Sequence, residues 1–257
     1  MPNLLVGTSG WAYPAWKPVF FPEKLPQKKF LQHYASRLNA VEVNYSFRRF
    51  IAESTLQNWI AETPPEFAFC IKAHQVITHI RRLKNVQEPL QRFLDSIQPL
   101  AVARKLGPVL FQLPPNLPAD PALLDEFLAQ VPQPRSSPQA DGDRLGPRFR
   151  AAFEFRHRSW FVEPIFEVLR RYHAALCMAE SDELSTPPVV TADFQYYRFR
   201  RTEYSSSARA SIVEQLHEAC ETGRLIFAFF KHEERPESAL WAEEVLKAAS
   251  APIQAGP

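Results

Sequence analysis

Ala152-Phe153-Glu154-Phe155-Arg156-His157 reads as a strand with two unlike faces. Period-two alternation sends Phe153 and Phe155 to one side of a sheet and Glu154 and Arg156 to the other. A carboxylate and a guanidinium at the end of an apolar strand are costly to bury unless they are paired or used. The same device recurs along the chain. Glu42 and Asn44 share one face of a second segment, Lys72 and His74 of a third, and Arg198 and Arg200 of a later one, while Gln112 closes another. In each case the opposite parity is apolar: Val41 and Val43, Phe69 and Ile71, Phe111 and Leu113, Tyr197 and Phe199.

Reading outward from these segments gives strands over Leu4–Gly7, Ala40–Asn44, Phe67–Ala73, Val109–Leu113, Ala151–Arg156, Ala175–Glu180, Tyr196–Arg200 and Ile226–Lys231. Helical patterns lie between them, at Lys28–Leu38, Glu53–Glu62, Glu88–Leu106, Pro121–Gln130, Val162–Tyr172, Ala208–Thr222 and Ser238–Ala249. Asp120 with Pro121 marks a helix start and Gly223 a helix end. Only the connection between the sixth and seventh strands lacks a helix, since Asp182–Pro188 reads as loop. Eight strands alternating with helices in 257 residues is the count of a TIM (β/α)8 barrel, an α/β fold of eight parallel strands with outer helices. An open doubly wound sheet is the rival. Its glycine-rich first turn is absent here, where the chain reads Gly7-Thr8-Ser9-Gly10-Trp11.

One barrel domain is expected through residue 249. Residues 132–147, rich in Pro, Ser and Gly, read as an exposed loop, and residues 250–257 as a flexible tail. The net charge of +2 gives no global basic excess, so any basic site must be local. Cys70, Cys177 and Cys220 show no metal-type spacing, and the first two lie in apolar runs, as buried reduced thiols do. With no signal-like start and no apolar run long enough to span a bilayer, a cytoplasmic location without membrane contact is expected.

In a barrel the apolar parity faces the helices and the other parity faces the interior, so the polar strand ends converge on one mouth. That mouth would gather Lys72, Arg156, Arg198, Arg200 and Lys231 against Glu42 and Glu154, an excess of cations suited to a phosphate or carboxylate. His74 and His79 flank the third strand-to-helix loop, His157 stands on the rim, and Thr8 and Ser9 could offer hydroxyl and N–H groups. Trp11 and Trp160, beside strand ends, could wall a pocket. The run Ile80-Arg81-Arg82-Leu83-Lys84 reads as a solvated face. No motif points to a particular cofactor. Glu42, Glu154, Glu180 and Asp182 could approach a metal, but cationic neighbours oppose a carboxylate cage, so a required metal is not expected.

The motifs Gly7-Thr8-Ser9-Gly10-Trp11, Val41-Glu42-Val43-Asn44, Thr78-His79, Phe111-Gln112-Leu113-Pro114-Pro115 and Glu154-Phe155-Arg156-His157 resemble, in order, those of the YecE-like family, domain of unknown function 72. The resemblance runs from Gly7 to about Leu246 and implies a TIM barrel but no reaction. It implies Arg-x-His-Gly on the seventh strand and an asparagine after the eighth. This chain has Arg198-Phe199-Arg200-Arg201 and Lys231-His232-Glu233 instead, as a divergent and more cationic branch would.

Three readings of function follow. The first is an enzyme acting on a small anion, with Glu42 or Glu154 as acid or base, Lys72 and Arg156 as electrostatic stabilisers, His157 beside them, and Arg198 and Arg200 as a clamp. Isomerase, lyase or hydrolase chemistry would suit that set. Asn44, His74, His79 and Gln112 complete the candidate ligand contacts. The second is a nucleotide- or nucleic-acid-binding, repair-like barrel, in which arginines hold phosphates and aromatics stack a base. The third is a ligand sensor or interaction protein that does no chemistry.

Overall fold

The computed structural model describes residues 3–132, 149–181, 184–231 and 235–250. The proline-rich segment after its first residue, Asp182, His232 and Glu233, and the tail beyond residue 250 lie outside the described residues.

Eight strands run parallel: β1 Leu4–Thr8, β2 Ala40–Val43, β3 Ala68–Lys72, β4 Leu106–Gln112, β5 Ala151–Glu154, β6 Ala175–Glu180, β7 Phe194–Phe199 and β8 Leu225–Phe230. They neighbour one another in the order β1-β8-β7-β6-β5-β4-β3-β2, which brings the two end strands round to meet in a nearly closed barrel. The helices around it are α1 Phe30–Ala35, α2 Glu53–Glu62, α3 Gln87–Val102, α4 Pro121–Gln130, α5 Glu163–Arg171, α6 Ser206–Glu221 and α7 Glu237–Ser250. As the sequence suggests, no helix joins β6 to β7 among the described residues. The Asp120 carboxylate accepts from the Leu123 N–H at 3.0 Å to start α4, and Gly223 takes a left-handed φ of 75° just after α6.

Several boundaries differ from expectation, those of the first and third helices the most. The first helix is shorter than Lys28–Leu38, because residues 27–29 form a tighter 3-10 turn ahead of α1. The third stops at Val102 rather than reaching Leu106. The chain there turns through Arg104 at a φ of 57°, and Leu106 already belongs to β4. In the run after β3, Leu83 is buried at 2% exposure while Ile80 is exposed at 64%, so that face is not wholly solvated.

The core forms two layers divided by strand parity. One face of each strand packs on the helices, with Val41, Phe69, Phe111, Phe153, Tyr197 and Phe199 in that outer core. The other face fills the barrel interior. Large Phe194, Tyr196, Phe227 and Phe229 from β7 and β8 cluster with small Ala40, Ala68, Ala152 and Ala175 from β2, β3, β5 and β6. Large rings against alanines fill the barrel without a pore. Cys70 and Cys177 are free thiols in this layer, and burial pushes both well above the usual thiol range.

Side chains supply much of the seam between β1 and β2. Asn39 accepts the Val6 N–H at 2.7 Å and donates to the Leu4 carbonyl at 2.9 Å. The Tyr34 hydroxyl accepts the Thr8 N–H at 2.8 Å and donates to the Ala40 carbonyl at 2.9 Å. Gly7 lets the strands meet this closely, since a Cβ there would stand 1.9 Å from the Ala40 oxygen. Beyond the seam, a single bridge pairs Ser9 with Glu42.

Candidate functional site

Interior parity delivers the polar strand ends to one place, directly above the aromatic filling. Arg198, at the end of β7, is 2% exposed and bonds both buried carboxylates: Nη2 donates to Glu42 Oε1 at 2.7 Å and Nη1 donates to Glu154 Oε2. Glu42 also accepts from the Ser9 hydroxyl and from the Tyr196 hydroxyl, each at 2.8 Å. Glu154 accepts from Gln112 at 2.9 Å, Arg156 Nε at 3.0 Å and Arg200 Nη1 at 2.9 Å. Burial alone would raise both carboxyl groups. The guanidinium of Arg198 overcomes it at Glu42, and Arg198, Arg200 and Arg156 together overcome it at Glu154, so both lie below the usual carboxylate range. Every carboxylate oxygen of the pair thus holds at least one donor. Two carboxylates face three guanidinium groups, leaving the knot one positive charge in excess.

Above the knot opens a cavity of about 440 Å³, lined by Asn44, Tyr45, Phe47, Arg48, Arg49, Lys72, Gln112, Arg156, Arg198, Arg200 and Lys231. Among the described residues its wall carries no carboxylate. Lys72 Nζ donates to Gln112 Oε1 at 2.9 Å and lies 4.1 Å from the centre of the Phe47 ring. Burial, then the positive field of Arg198, brings its ammonium down to about 7. A second cavity of about 320 Å³, lined in part by Glu180, Ser181, Leu184 and Thr186, shares Arg156 and Arg200 with the first.

Of the residues expected at the mouth, Glu42, Lys72, Gln112, Glu154, Arg156, Arg198 and Arg200 converge, with Ser9 bonded beneath and Asn44 and Lys231 on the wall. The others sit elsewhere. Thr8 spends its hydroxyl on the Gly10 carbonyl and Tyr34. His74 stacks flat on Phe50 at 4.7 Å and accepts the Val76 N–H. Trp160 is fully buried, stacked on Phe155 and bonded to the Leu117 carbonyl, so it belongs to the core. Trp11 packs edge-on against Trp59. His157 bonds the Ser159 hydroxyl at 2.8 Å and caps the short turn that follows. His79 lies near enough to Lys72 to feel its charge; burial, then Lys72, takes its imidazole down to about 4, and its ring meets Phe47 edge-on.

Five contributors escaped the sequence reading, four of them from a single turn. Arg48, Arg49, Tyr45 and Phe47 come from the turn after β2, where no periodicity announces a direction. Tyr196 had a signal: it shares parity with Arg198, two residues on.

Eight parallel strands, outer helices and a cationic pocket at the C-terminal mouth make this an α/β barrel of the TIM type, with the pocket where such barrels carry their sites. Residues 5–255 match the family described as protein of unknown function DUF72, and the chain belongs to that family. It is 31% identical to the UPF0759 protein YunF of Bacillus subtilis over 168 residues, 64% of this chain and 54% of that protein. Against the UPF0759 protein YecE of Escherichia coli K12 it is 26% identical over 161 residues, 62% of this chain and 51% of that one. The aligned region thus spans about half the length of these relatives. A DUF72 family crystal structure from Thermotoga maritima superposes with a TM-score of 0.81 at 25% identity, covering 96% of this chain and 99% of the other. One from Enterococcus faecalis gives 0.77 at 16% identity, covering 99% and 98%, a likeness of fold alone. Among the described residues no helix is long and apolar enough to cross a membrane, and no group of three or more His, Cys, Asp or Glu side chains could hold a metal ion.

Proposed function

We propose that the mouth binds a small phosphate- or carboxylate-bearing molecule and acts on it. One observation carries this reading: a cavity of about 440 Å³ whose described wall is cationic and free of carboxylates. The two glutamates beneath it hold the arginines in place rather than facing the ligand. With their oxygens occupied and their ionised forms favoured, Glu42 and Glu154 are poor proton donors and weak bases at neutral pH. Acid–base work falls instead to Lys72, whose pKa of about 7 suits proton exchange near neutrality. Arg156 and Arg200 form the clamp, each using one nitrogen on Glu154.

Calorimetric titration and thermal shift with inorganic phosphate, phosphorylated sugars and dicarboxylates test the reading at low and high salt. A ligand at 100 times its dissociation constant adds about 2.7 kcal/mol. Stabilisation by a small anion that disappears in Arg156→Ala is the expected result. No response to any small anion overturns it. Binding with no product formed from any bound compound would leave a sensor.

Tyr45, exposed at 55% beside Arg48 and Arg49, favours a second reading, a nucleotide or single-stranded nucleic acid whose base stacks on that ring. Its mark is an affinity for nucleotides over inorganic phosphate that Tyr45→Ala removes.

A further inference from the structure

We propose that Lys72 is a nucleophilic amine that forms an imine with the carbonyl carbon of an anionic aldehyde or ketone held in the mouth cavity. The inference rests on the anion-binding reading and adds to it the substrate's reacting group. Arginines already supply charge to this wall, and a lysine set among them is a poor cation but a good amine.

The geometry supports the role. Lys72 ends β3 inside the cavity, and Gln112 Oε1 accepts one of its N–H bonds at 2.9 Å, fixing the amine at the wall. Gln112 is itself held by Glu154, so its amide orientation is set: nitrogen to the carboxylate, oxygen to the lysine. Of the charges that act most on Lys72, Arg198 and Arg156 favour the neutral amine and Glu42 and Glu154 oppose them; Arg48, Arg49, Arg200 and Lys231 line the same cavity, and His79 stands by as a neutral imidazole. The buried Lys105 offers no rival, since its ammonium is tied to the Ile60 and Thr63 carbonyls and the Thr63 hydroxyl. At about pH 7, roughly half of Lys72 is neutral, a neutral fraction about a thousandfold above that of an ordinary exposed lysine.

The step balances without an oxidant or reductant. The amine lone pair attacks the carbonyl carbon, and the former carbonyl oxygen takes up a proton to give a carbinolamine. That oxygen then leaves as water, carrying a second proton from nitrogen, and the imine remains. Hydrolysis reverses both stages.

Pyridoxal 5′-phosphate serves as a probe that carries an aldehyde and a phosphate, with pyridoxal as the uncharged-arm control. Adducts are fixed with borohydride and located by peptide mass mapping. The expected result is preferential labelling of Lys72 over the exposed Lys24 and Lys28, suppressed by inorganic phosphate, weaker with pyridoxal, and falling as pH drops below about 7. Lys72→Met should lose that adduct while retaining its fold by circular dichroism. If phosphate stabilises the protein but Lys72 is left unlabelled, the imine is overturned and anion binding stands. If Lys72 is labelled equally by pyridoxal and phosphate gives no protection, the amine is reactive but the anionic substrate is overturned. Failure of both responses overturns both.

Discussion

Arg198 on β7 donates to Glu42 on β2 across the barrel interior at 2.7 Å, and the two residues are 156 positions apart in the chain. Both are buried, and Arg198 also neutralises Glu154. Removing one partner from such a set leaves an uncompensated buried charge, which costs more than the intact set contributes.

Arg198→Met should therefore lose about 3–5 kcal/mol in urea unfolding near neutral pH. The loss should shrink in acid. Glu42 and Glu154 have folded pKa values below their unfolded value of 4.5, so the stability they contribute is complete above that pH and fades as pH falls below it. A deficit that stays constant down to about pH 2 would contradict the pairing.

Lys72 gives a slope of the same sign in a higher pH window. Its pKa drops from 10.5 to about 7 on folding, so between those values the unfolded chain binds the extra proton and stability rises with pH. Melting curves of the protein and of Lys72→Met, taken across that window, should diverge in favour of the protein as pH increases. Parallel curves would show that the amine is not held in its neutral form.

Gly7→Ala should destabilise by at least the ~1–3 kcal/mol typical of an overpacked core. The added carbon would meet the Ala40 oxygen at 1.9 Å and the Tyr34 hydroxyl at 2.7 Å, and the first of these is backbone. Urea titration checks the magnitude. A neutral substitution would mean that the seam is looser than its hydrogen bonds indicate.

Tyr196→Phe removes the only hydrogen bond to Glu42 Oε2 among those described and should cost about 1–3 kcal/mol. Tyr196 is not part of the cavity wall, so stabilisation by phosphate should survive. Loss of that stabilisation with the fold intact would make Tyr196 part of ligand recognition.

Strand parity was legible because the interior of a barrel is lined at a fixed period. Glu42, Lys72, Gln112, Glu154 and Arg198 could be assigned to one mouth before any contact was known. Apart from Thr8, which shares the outward parity of Leu4 and Val6 on β1, the residues placed elsewhere come from turns or from aromatic side chains, where local sequence leaves direction unset. His74 lies two residues beyond Lys72, the end of its strand, and there it stacks on Phe50 instead of following the alternation. Trp160 sits beside a strand end, as expected, but a short turn carries its ring down onto Phe155. Arg48 and Arg49 lie in the turn after β2, and only the folded chain shows that this turn bends over the cavity. The protonation states of the glutamates depend on several arginines arriving together, which no single segment encodes.

The Ser9–Glu42 bridge ties ring closure to the floor of the mouth cavity. Glu42 is gripped by Ser9, just past the end of β1, and from β7 by Tyr196 and Arg198, so the joint between the first two strands and the charged floor of the cavity share one carboxylate. An opened joint is therefore also a disassembled pocket. On the proposed anion-binding reading, affinity measured during gradual unfolding should vanish together with protection of the Val6 and Thr8 amides, since opening the barrel would also dismantle the cavity floor.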